Sequence, residues 1–115
     1  TSDLVSMQVY DQPVVPGNFT QEFDKWAAVE VSEFSVIPDG MEAFKLKGGL
    51  YAVFHYIGSS MDTRVFQYIF GTWLPASSYF LDDRPHFEIL GDKYKNADPN
   101  SEEDIWIPIK PKVNT

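Results

Sequence analysis

The feature that most constrains the fold is an abrupt change of hydrophobic period just after residue 58. The segment LYAVFHYIG, residues 50–58, is rich in aromatic and β-branched residues and closes on a glycine, which is typical of a β-strand. Beyond Ser59-Ser60, apolar side chains recur at helical spacing along one stripe until Pro75. The pattern predicts a strand, an N-cap at the two serines, and an amphipathic helix over 61–74.

Runs of β-branched and aromatic residues between turn-forming residues predict the remaining strands. These runs are 4–10 (LVSMQVY), 25–34 (KWAAVEVSEF), 41–49 (MEAFKLKGG), 86–90 (HFEIL) and 105–109 (IWIPI). The connections are hairpins rather than long crossovers, so we predict an α+β fold, an antiparallel sheet with one main helix. The length of 115 residues fits a single domain over 1–115.

Two further expectations concern the end of the chain. The acidic segment KNADPNSEED, 95–104, predicts a solvated turn. Pro108 predicts an edge or strand-end position, because proline cannot donate to a β-ladder.

One helix cannot cover a sheet of this size. Part of one sheet face should therefore be covered by a partner, by a missing helix or by a ligand.

The composition excludes several classes of function. A net charge of −8 argues against nucleic-acid binding, which requires a basic surface. The chain has no cysteine and only two histidines, far apart in sequence, so we expect no disulfide, no metal site and no cofactor. It shows no signal peptide and no apolar run long enough to cross a bilayer. These features favour a cytoplasmic protein without membrane contact.

The stretch DDRPHFEILG, 82–91, places Glu88 inside a short apolar strand. Strand alternation puts Glu88 on one face with His86 and Leu90. A buried, unpaired carboxylate would need a raised pKa or a cationic partner. The alternatives are a solvent-facing side chain, or an internal ion pair with Arg84 or a lysine. The aromatic content of 16% leaves a similar choice between sheet packing and the wall of a ligand pocket.

Four motifs, in order, resemble the second half of the AraC-type effector-binding domain, which also occurs in gyrase-inhibitory-protein-like and multidrug-sensing bacterial regulators. They are GGLYAVFHYIG, TWLPASSY, RPHFEIL and DIWIPIK, within residues 48–110. The resemblance implies a duplicated β-α-β-β architecture that is incomplete here, with 1–40 a remnant of the first half and 41–110 the second half. The strand and helix that open the first half have no counterpart in this sequence. We expect either a trimmed segment or a homodimer in which a second copy completes the sheet.

The resemblance also implies a role, the binding of a small, lipophilic and often cationic molecule in a groove between the two halves. Glu88 matches the acid at the base of that groove. Glu30, a second glutamate between valines, is a candidate for the same groove or else an exposed residue. The aromatic candidates for the groove walls are Trp26, Phe54, Tyr56, Trp73 and Trp106, with core packing the alternative for Trp73.

Two other functions stay open on the residues. Some relatives are hydrolases, and Glu88 with Glu30 or His86 would supply an acid/base pair. Others bind a protein target, and an acidic chain suits a basic partner. The function that we favour is non-catalytic ligand binding by a stand-alone or detached sensor domain of transcription regulation that does not itself contact nucleic acid.

Overall fold

The structure, a computed structural model, describes residues 3–15, 21–31 and 39–112. Within these ranges the chain forms six β-strands and one helix. The strands are β1 (Leu4–Val9), β2 (Asp24–Val29), β3 (Tyr51–Ile57), β4 (Tyr79–Leu81), β5 (His86–Leu90) and β6 (Glu102–Pro111). The helix, α1, covers residues 64–76 and consists of α-helical Arg64–Tyr68, a π-helical turn Ile69–Trp73 and a last turn Leu74–Ala76.

The strands build one antiparallel sheet in the order β2-β1-β5-β6-β3, with β4 paired to the end of β6. The predicted α+β class with one main helix is thereby confirmed. The long β6 is an interior strand, so the edge position predicted for Pro108 is wrong. Pro108 lies opposite Tyr51 of β3 and is fully buried. Its carbonyl accepts a hydrogen bond from the Asp82 N–H at 2.9 Å, so this interior position uses the acceptor that proline retains.

The core lies between α1 and the β3–β6 side of the sheet. Ile105, Ile107 and Ile109 alternate along β6 and pack against Ile69 and Leu74 of the helix. This periodicity of two on the strand, meeting a helical stripe, is the pattern expected for a helix on one sheet face. Over β1 and β2 the described residues place no helix on that face, and Val29 is 46% exposed there.

The start of the helix differs from the sequence prediction. Thr63 is the N-cap residue and makes no side-chain capping bond, and the helix begins at Arg64. Ser59 lies in a turn instead, where its Oγ accepts a hydrogen bond from the Met61 N–H at 3.1 Å. The Asp62 carboxylate accepts one from the Arg64 N–H at 3.0 Å. The local hydrogen bonds of this turn delay the helix by three residues relative to the prediction.

Three segment predictions also need correction. No strand forms over 41–49, because no neighbouring strand pairs with this segment; Phe44 packs edge-on against Trp26 with ring centroids 5.0 Å apart. The strand predicted over 25–34 ends at Val29, and its residues from 32 onward lie outside the described ranges. The predicted acidic turn is strand from residue 102, because β6 pairs with β3 along this length. In the part of the chain that the structure describes, no helix is long and apolar enough to cross a membrane.

Candidate functional site

The strand register places Glu88 on the sheet face that carries α1. Glu88 lies opposite Ser6 on β1 and opposite Ile105 on β6. Because paired residues share a face, Glu88 belongs to the face of the buried core residue Ile105. Its side chain is half-buried, and His86 on the same face is buried. Glu88 is therefore not on the solvent side of the sheet.

A cavity of about 150 Å³ lies beside Glu88, between the sheet, α1 and the connection from β1 to β2. Its walls are mainly aromatic and aliphatic. Side chains from these elements are Gln8, Tyr10, Val14, Val15, Gln21, Phe23, Phe66, Phe70, His86, Ile105 and Ile107. An apolar cavity of this volume accommodates a group of about the size of one benzene ring.

His86 supplies a polar atom at the cavity wall. Its ring contacts Tyr10 at 5.3 Å and Phe70 at 6.0 Å between centroids. The residue is 5% exposed, and its Nε2 has no hydrogen-bond partner among the described residues. Burial lowers the pKa of His86 to about 4, so the ring is neutral at pH 7. A neutral imidazole with an unused nitrogen can donate or accept one hydrogen bond to a ligand.

A second acid, Glu103 on β6, lies next to Glu88 on the same face. Glu103 is 6% exposed, and its Oε2 has no protein partner in the described part of the chain. Burial, together with the charge and hydrogen bonding of Glu88, raises the pKa of Glu103 to about 8, while Lys25 acts in the opposite direction. The protonated form of Glu103 is therefore favoured near neutral pH, and in that form its carboxyl O–H can donate a hydrogen bond to Glu88.

Arg84 does not neutralise this acidic pair. Its Nε donates to the Asp82 carboxylate at 2.6 Å, and its guanidinium also bonds the carbonyls of Leu50 and Ile109. The guanidinium lies over the ring of Tyr51, 4.5 Å from the centroid. The ion pair of Glu88 with Arg84, one of the alternatives from the sequence, therefore does not form. Arg84 pairs instead with Asp82 in the β4–β5 loop.

Three of the sequence-predicted residues pack beneath the helix. Phe54 and Tyr56 share the face of Glu88, but Phe54 meets Trp73 edge-on at 5.0 Å. The Tyr56 hydroxyl donates to the Ser59 carbonyl at 2.9 Å. Phe54, Tyr56 and Trp73 therefore belong to the packing of α1 on β3 and do not line the cavity.

The other predicted aromatic residues lie on the opposite face of the sheet. Trp26 is paired with Met7, and Trp106 is paired with Phe87 and stacks on it at 5.2 Å. Glu30 is exposed and lies one residue past the end of β2. Of the seven residues predicted from the sequence, Glu88 is the one that lines the cavity.

Comparison with known proteins decides the family. A family model described as an integron-associated effector binding protein, Cass2, matches residues 3–109 of the chain. The chain belongs to this family. The match covers the β1–β2 pair, β3, α1, β5 and all but the last two residues of β6, so the Cass2 family assignment includes every residue that lines the cavity.

The Cass2-family chain is also similar to the transcriptional regulator BrlR of Pseudomonas aeruginosa, with 32% identity over 90 residues. The aligned region covers 76% of this chain and 33% of the regulator, so the chain spans about one third of that relative's length. Together these similarities identify an effector-binding domain, a module for small molecules. This assignment is coarser than the AraC-type relationship inferred from the motifs.

Sequence reasoning missed most of the cavity, although two signals were present. Phe66 and Phe70 lie on the predicted helical stripe, where apolar spacing alone does not distinguish a cavity wall from a packed core. Alternation backwards from Ile105 would have placed Glu103 on the core face, but the acidic run around it predicted a turn. Tyr10 follows β1 and Phe23 precedes β2, and no local pattern indicates that their ring centroids lie 5.2 Å apart.

Proposed function

We propose that this domain binds a small, lipophilic cation in the cavity beside Glu88, without transforming it chemically. The observation that carries this proposal is the position of Glu88, a half-buried carboxylate at an aromatic-lined cavity whose hydrogen-bonding neighbour is another acid. A ligand cation would supply a direct counter-charge, since Glu88 forms no ion pair within the described part of the chain. Membership of the effector-binding family supports the same class of ligand-binding role.

The cavity chemistry also indicates what such a ligand looks like. Tyr10, Phe23 and Phe70 offer aromatic faces, and each cation–π contact contributes roughly 0.5–2 kcal/mol depending on desolvation. The volume of about 150 Å³ favours a ligand whose buried part is one aromatic ring or a compact alkylammonium group. Larger ligands would have to extend over the face of β1 and β2 that α1 leaves uncovered.

Benzyltrimethylammonium is a suitable probe, because it combines one ring with a permanent positive charge. We expect it to raise the melting temperature of the domain and to give a measurable Kd by calorimetry. Phenylmethanesulfonate, of similar shape but negative charge, should not bind. Glu88→Gln should weaken binding of the cation at least tenfold, whereas Glu30→Gln, which removes an exposed glutamate, should leave Kd unchanged.

Two results would overturn the proposal. One is equal binding of the cation and the anion, which would make charge irrelevant. The other is unchanged affinity in a folded Glu88→Gln variant. The hydrolase alternative is tested on the same proteins with 4-nitrophenyl acetate, where release of nitrophenolate that disappears in Glu88→Gln would establish turnover instead of simple binding.

We infer further that the domain acts as a cytoplasmic sensor of the AraC-type and gyrase-inhibitory-protein-like kind, reporting a ligand to a transcription apparatus without touching DNA itself. The name of the regulator BrlR and the net charge of −8 support this assignment. Binding to DNA fragments in a mobility-shift assay at low salt would contradict it. A multidrug-type sensor should bind several unrelated lipophilic cations, each with dependence on Glu88.

We also propose a homodimer that extends the sheet along β2. Among the described strands, β2 pairs only with β1, so its other edge offers backbone donors and acceptors to a second strand. The exposed Val29 lies at this edge and would be covered by the added strand. Light scattering should give the mass of a dimer at micromolar concentration, and a monomer at all concentrations would overturn this assembly.

A further inference from the structure

Glu88, which lines the cavity, has a second acid beside it on the neighbouring strand. Glu88 pairs with Ile105, and Glu103 precedes that residue by two positions on the same face of β6. The two carboxyl groups are therefore diagonal neighbours, a spacing that long side chains bridge. Glu103 is almost fully buried and has an oxygen without a protein partner among the described residues.

We propose that Glu103 is a second acid of the ligand site, which holds a proton against Glu88 and so limits the site to one negative charge at neutral pH. This inference rests on the proposed function and concerns which ligand charge the same cavity prefers. Two adjacent carboxylates removed from water do not both ionise readily, and a shared proton satisfies both. The site then matches a ligand with one positive charge better than one with two.

The groups around the acid pair support this assignment. Lys25 on β2 is the nearby cation whose charge favours ionisation of Glu103. His86 on β5 is neutral, since burial lowers its pKa to about 4. Helix α1 presents the uncharged Phe66 and Phe70 to the cavity. The remaining titratable groups nearby are Tyr10 after β1, Tyr56 on β3, and the ion pair of Asp62 with Arg64 before α1.

These surroundings define a pH window in which Glu103 alone changes the charge of the site. Burial raises the pKa of Tyr10 and of Tyr56, so both phenols stay neutral near pH 8. The pKa of Asp62 is lowered to about 2 by Arg64, so Asp62 stays ionised. With the pKa of Glu103 raised to about 8 by burial and Glu88, the site gains its second negative charge between pH 7 and pH 9.

The inference predicts a pH-dependent affinity for a cation whose own charge does not titrate. We expect the Kd of benzyltrimethylammonium to fall on the order of tenfold from pH 6.5 to pH 9, because a second charge a few ångströms away adds to the attraction. Calorimetry near pH 8 in buffers of different ionisation enthalpy should show release of part of a proton on binding, since the bound cation favours ionised Glu103.

Glu103→Gln isolates this residue, because glutamine keeps the size and the donor of the protonated acid. We expect this variant to lose the pH-dependent change in Kd and to release no proton on binding. Glu102→Gln is the matched control. Glu102 is adjacent in sequence but bonds His55 on the other face, so its replacement should leave the pH-dependent change in place.

The possible failures are distinguishable. If the wild type binds no cation, the proposed function fails, and this inference fails with it. If the wild type binds but its Kd is independent of pH, or if Glu103→Gln keeps the pH-dependent change, binding stands and the role of Glu103 is wrong. Carbon-13 NMR titration of the glutamate carboxyl groups tests the ligand-free state directly. One carboxyl should titrate well above the ordinary range and lose part of that shift in Glu88→Gln, because burial is the largest cause of the shift and the charge of Glu88 the second.

Discussion

Ser6 of β1 lies directly opposite Glu88 of β5, at the middle of the five residue pairs that join the two strands. Directly opposed residues place their Cβ atoms about 4.5–5.5 Å apart, so the two side chains are in reach of each other. The short side chain of Ser6 leaves the carboxylate of Glu88 open to the cavity. The seam between the β1–β2 pair and the rest of the sheet therefore runs beside the acid of the site.

Ser6→Lys should convert this relationship into an internal ion pair. The lysine ammonium would occupy the position proposed for the ligand cation, so we expect binding of benzyltrimethylammonium to weaken at least tenfold. A cross-strand pair of opposite charge contributes roughly 0.2–1 kcal/mol, so stability should change little. Ser6→Met, of similar length but uncharged, is the control. If it weakens binding as much as the lysine, bulk rather than charge is responsible.

Arg84 and Arg64 provide a matched comparison of buried and exposed ion pairs. Each bonds the aspartate two positions earlier with a nitrogen–oxygen distance of 2.6 Å, but the Arg84 side chain is 5% exposed and that of Arg64 85%. Arg84→Met removes the donor to two backbone carbonyls, whereas the Asp82 carboxylate left behind is 31% exposed and can be hydrated, so the free energy of unfolding should fall by about 1–3 kcal/mol. Arg64→Met should change stability little, because its ion pair is exposed to solvent.

Urea denaturation of both variants at pH 7 measures this difference. If the two variants lose similar amounts of unfolding free energy, burial does not determine how much these ion pairs contribute to stability.

Because Arg84 also lies beside Gly49, where an added Cβ would come within 2.7 Å of the guanidinium carbon, Gly49→Ala should lower stability as well. Its effect should decrease in the Arg84→Met background but not vanish, because the backbone of Gly49, with φ at +152°, disfavours any side chain.

The two histidines should contribute to stability with opposite dependence on pH. The folded state holds buried His86 neutral with a pKa near 4, below its ordinary 6.5, so stability falls as pH drops between these values, by up to about 1.4 kcal/mol per pH unit. His55 is exposed, and its pKa is raised by hydrogen bonds to Asp104 and Glu102. Its contribution is present in acid and is lost as pH rises.

His86→Gln should flatten the decline in unfolding free energy between pH 6.5 and pH 4, and His55→Gln should leave that decline intact. Chemical denaturation at half-unit pH intervals resolves the two slopes. An unchanged decline in a folded His86→Gln protein would assign the acid sensitivity to other groups. Glutamine retains polar atoms at the cavity wall, so ligand binding near neutral pH reports whether the site survives.

Local periodicity was sufficient to predict which residues share a face with Glu88, but not whether that face is buried. Alternation within HFEIL joined Glu88 to His86, as the register with β1 confirms. The sequence could not reveal which strands become neighbours. Register between strands is a non-local property, and it places Trp106 beside Phe87 on the face opposite the cavity.

The cavity itself depends on such non-local contacts. Tyr10 reaches His86 across the β1–β5 pair, and Phe70 reaches the same ring from the helix. Neither contact follows from residue spacing along the chain. The burial of Glu103 could not be predicted from the sequence, because Glu103 lies in a run of acidic residues and such runs are normally solvated. Its strand position follows from pairing with β3, where it lies opposite Tyr56.

Glu103 should also make the stability of the ligand-free domain fall as pH rises. Its folded-state pKa of about 8, raised by burial and by Glu88, exceeds its ordinary value of 4.5. The folded state therefore binds more protons than the unfolded chain between these values. The resulting stability is fully present below pH 4.5 and is lost progressively up to pH 8. Glu103→Gln cannot ionise, so its stability relative to wild type should increase across this window.

The gain for Glu103→Gln at pH 9 should reach about 1–3 kcal/mol, the range for one buried polar group that lacks full hydrogen bonding. Denaturation of wild type and variant at pH 5, 7 and 9 measures it, with Glu102→Gln as control. Below pH 6.5 the titration of His86 changes the stability of both proteins in the opposite direction. The quantity to compare is therefore the difference in unfolding free energy between wild type and Glu103→Gln at each pH. A difference that stays constant from pH 5 to pH 9 would mean that Glu103 ionises in the folded state as readily as in the unfolded chain.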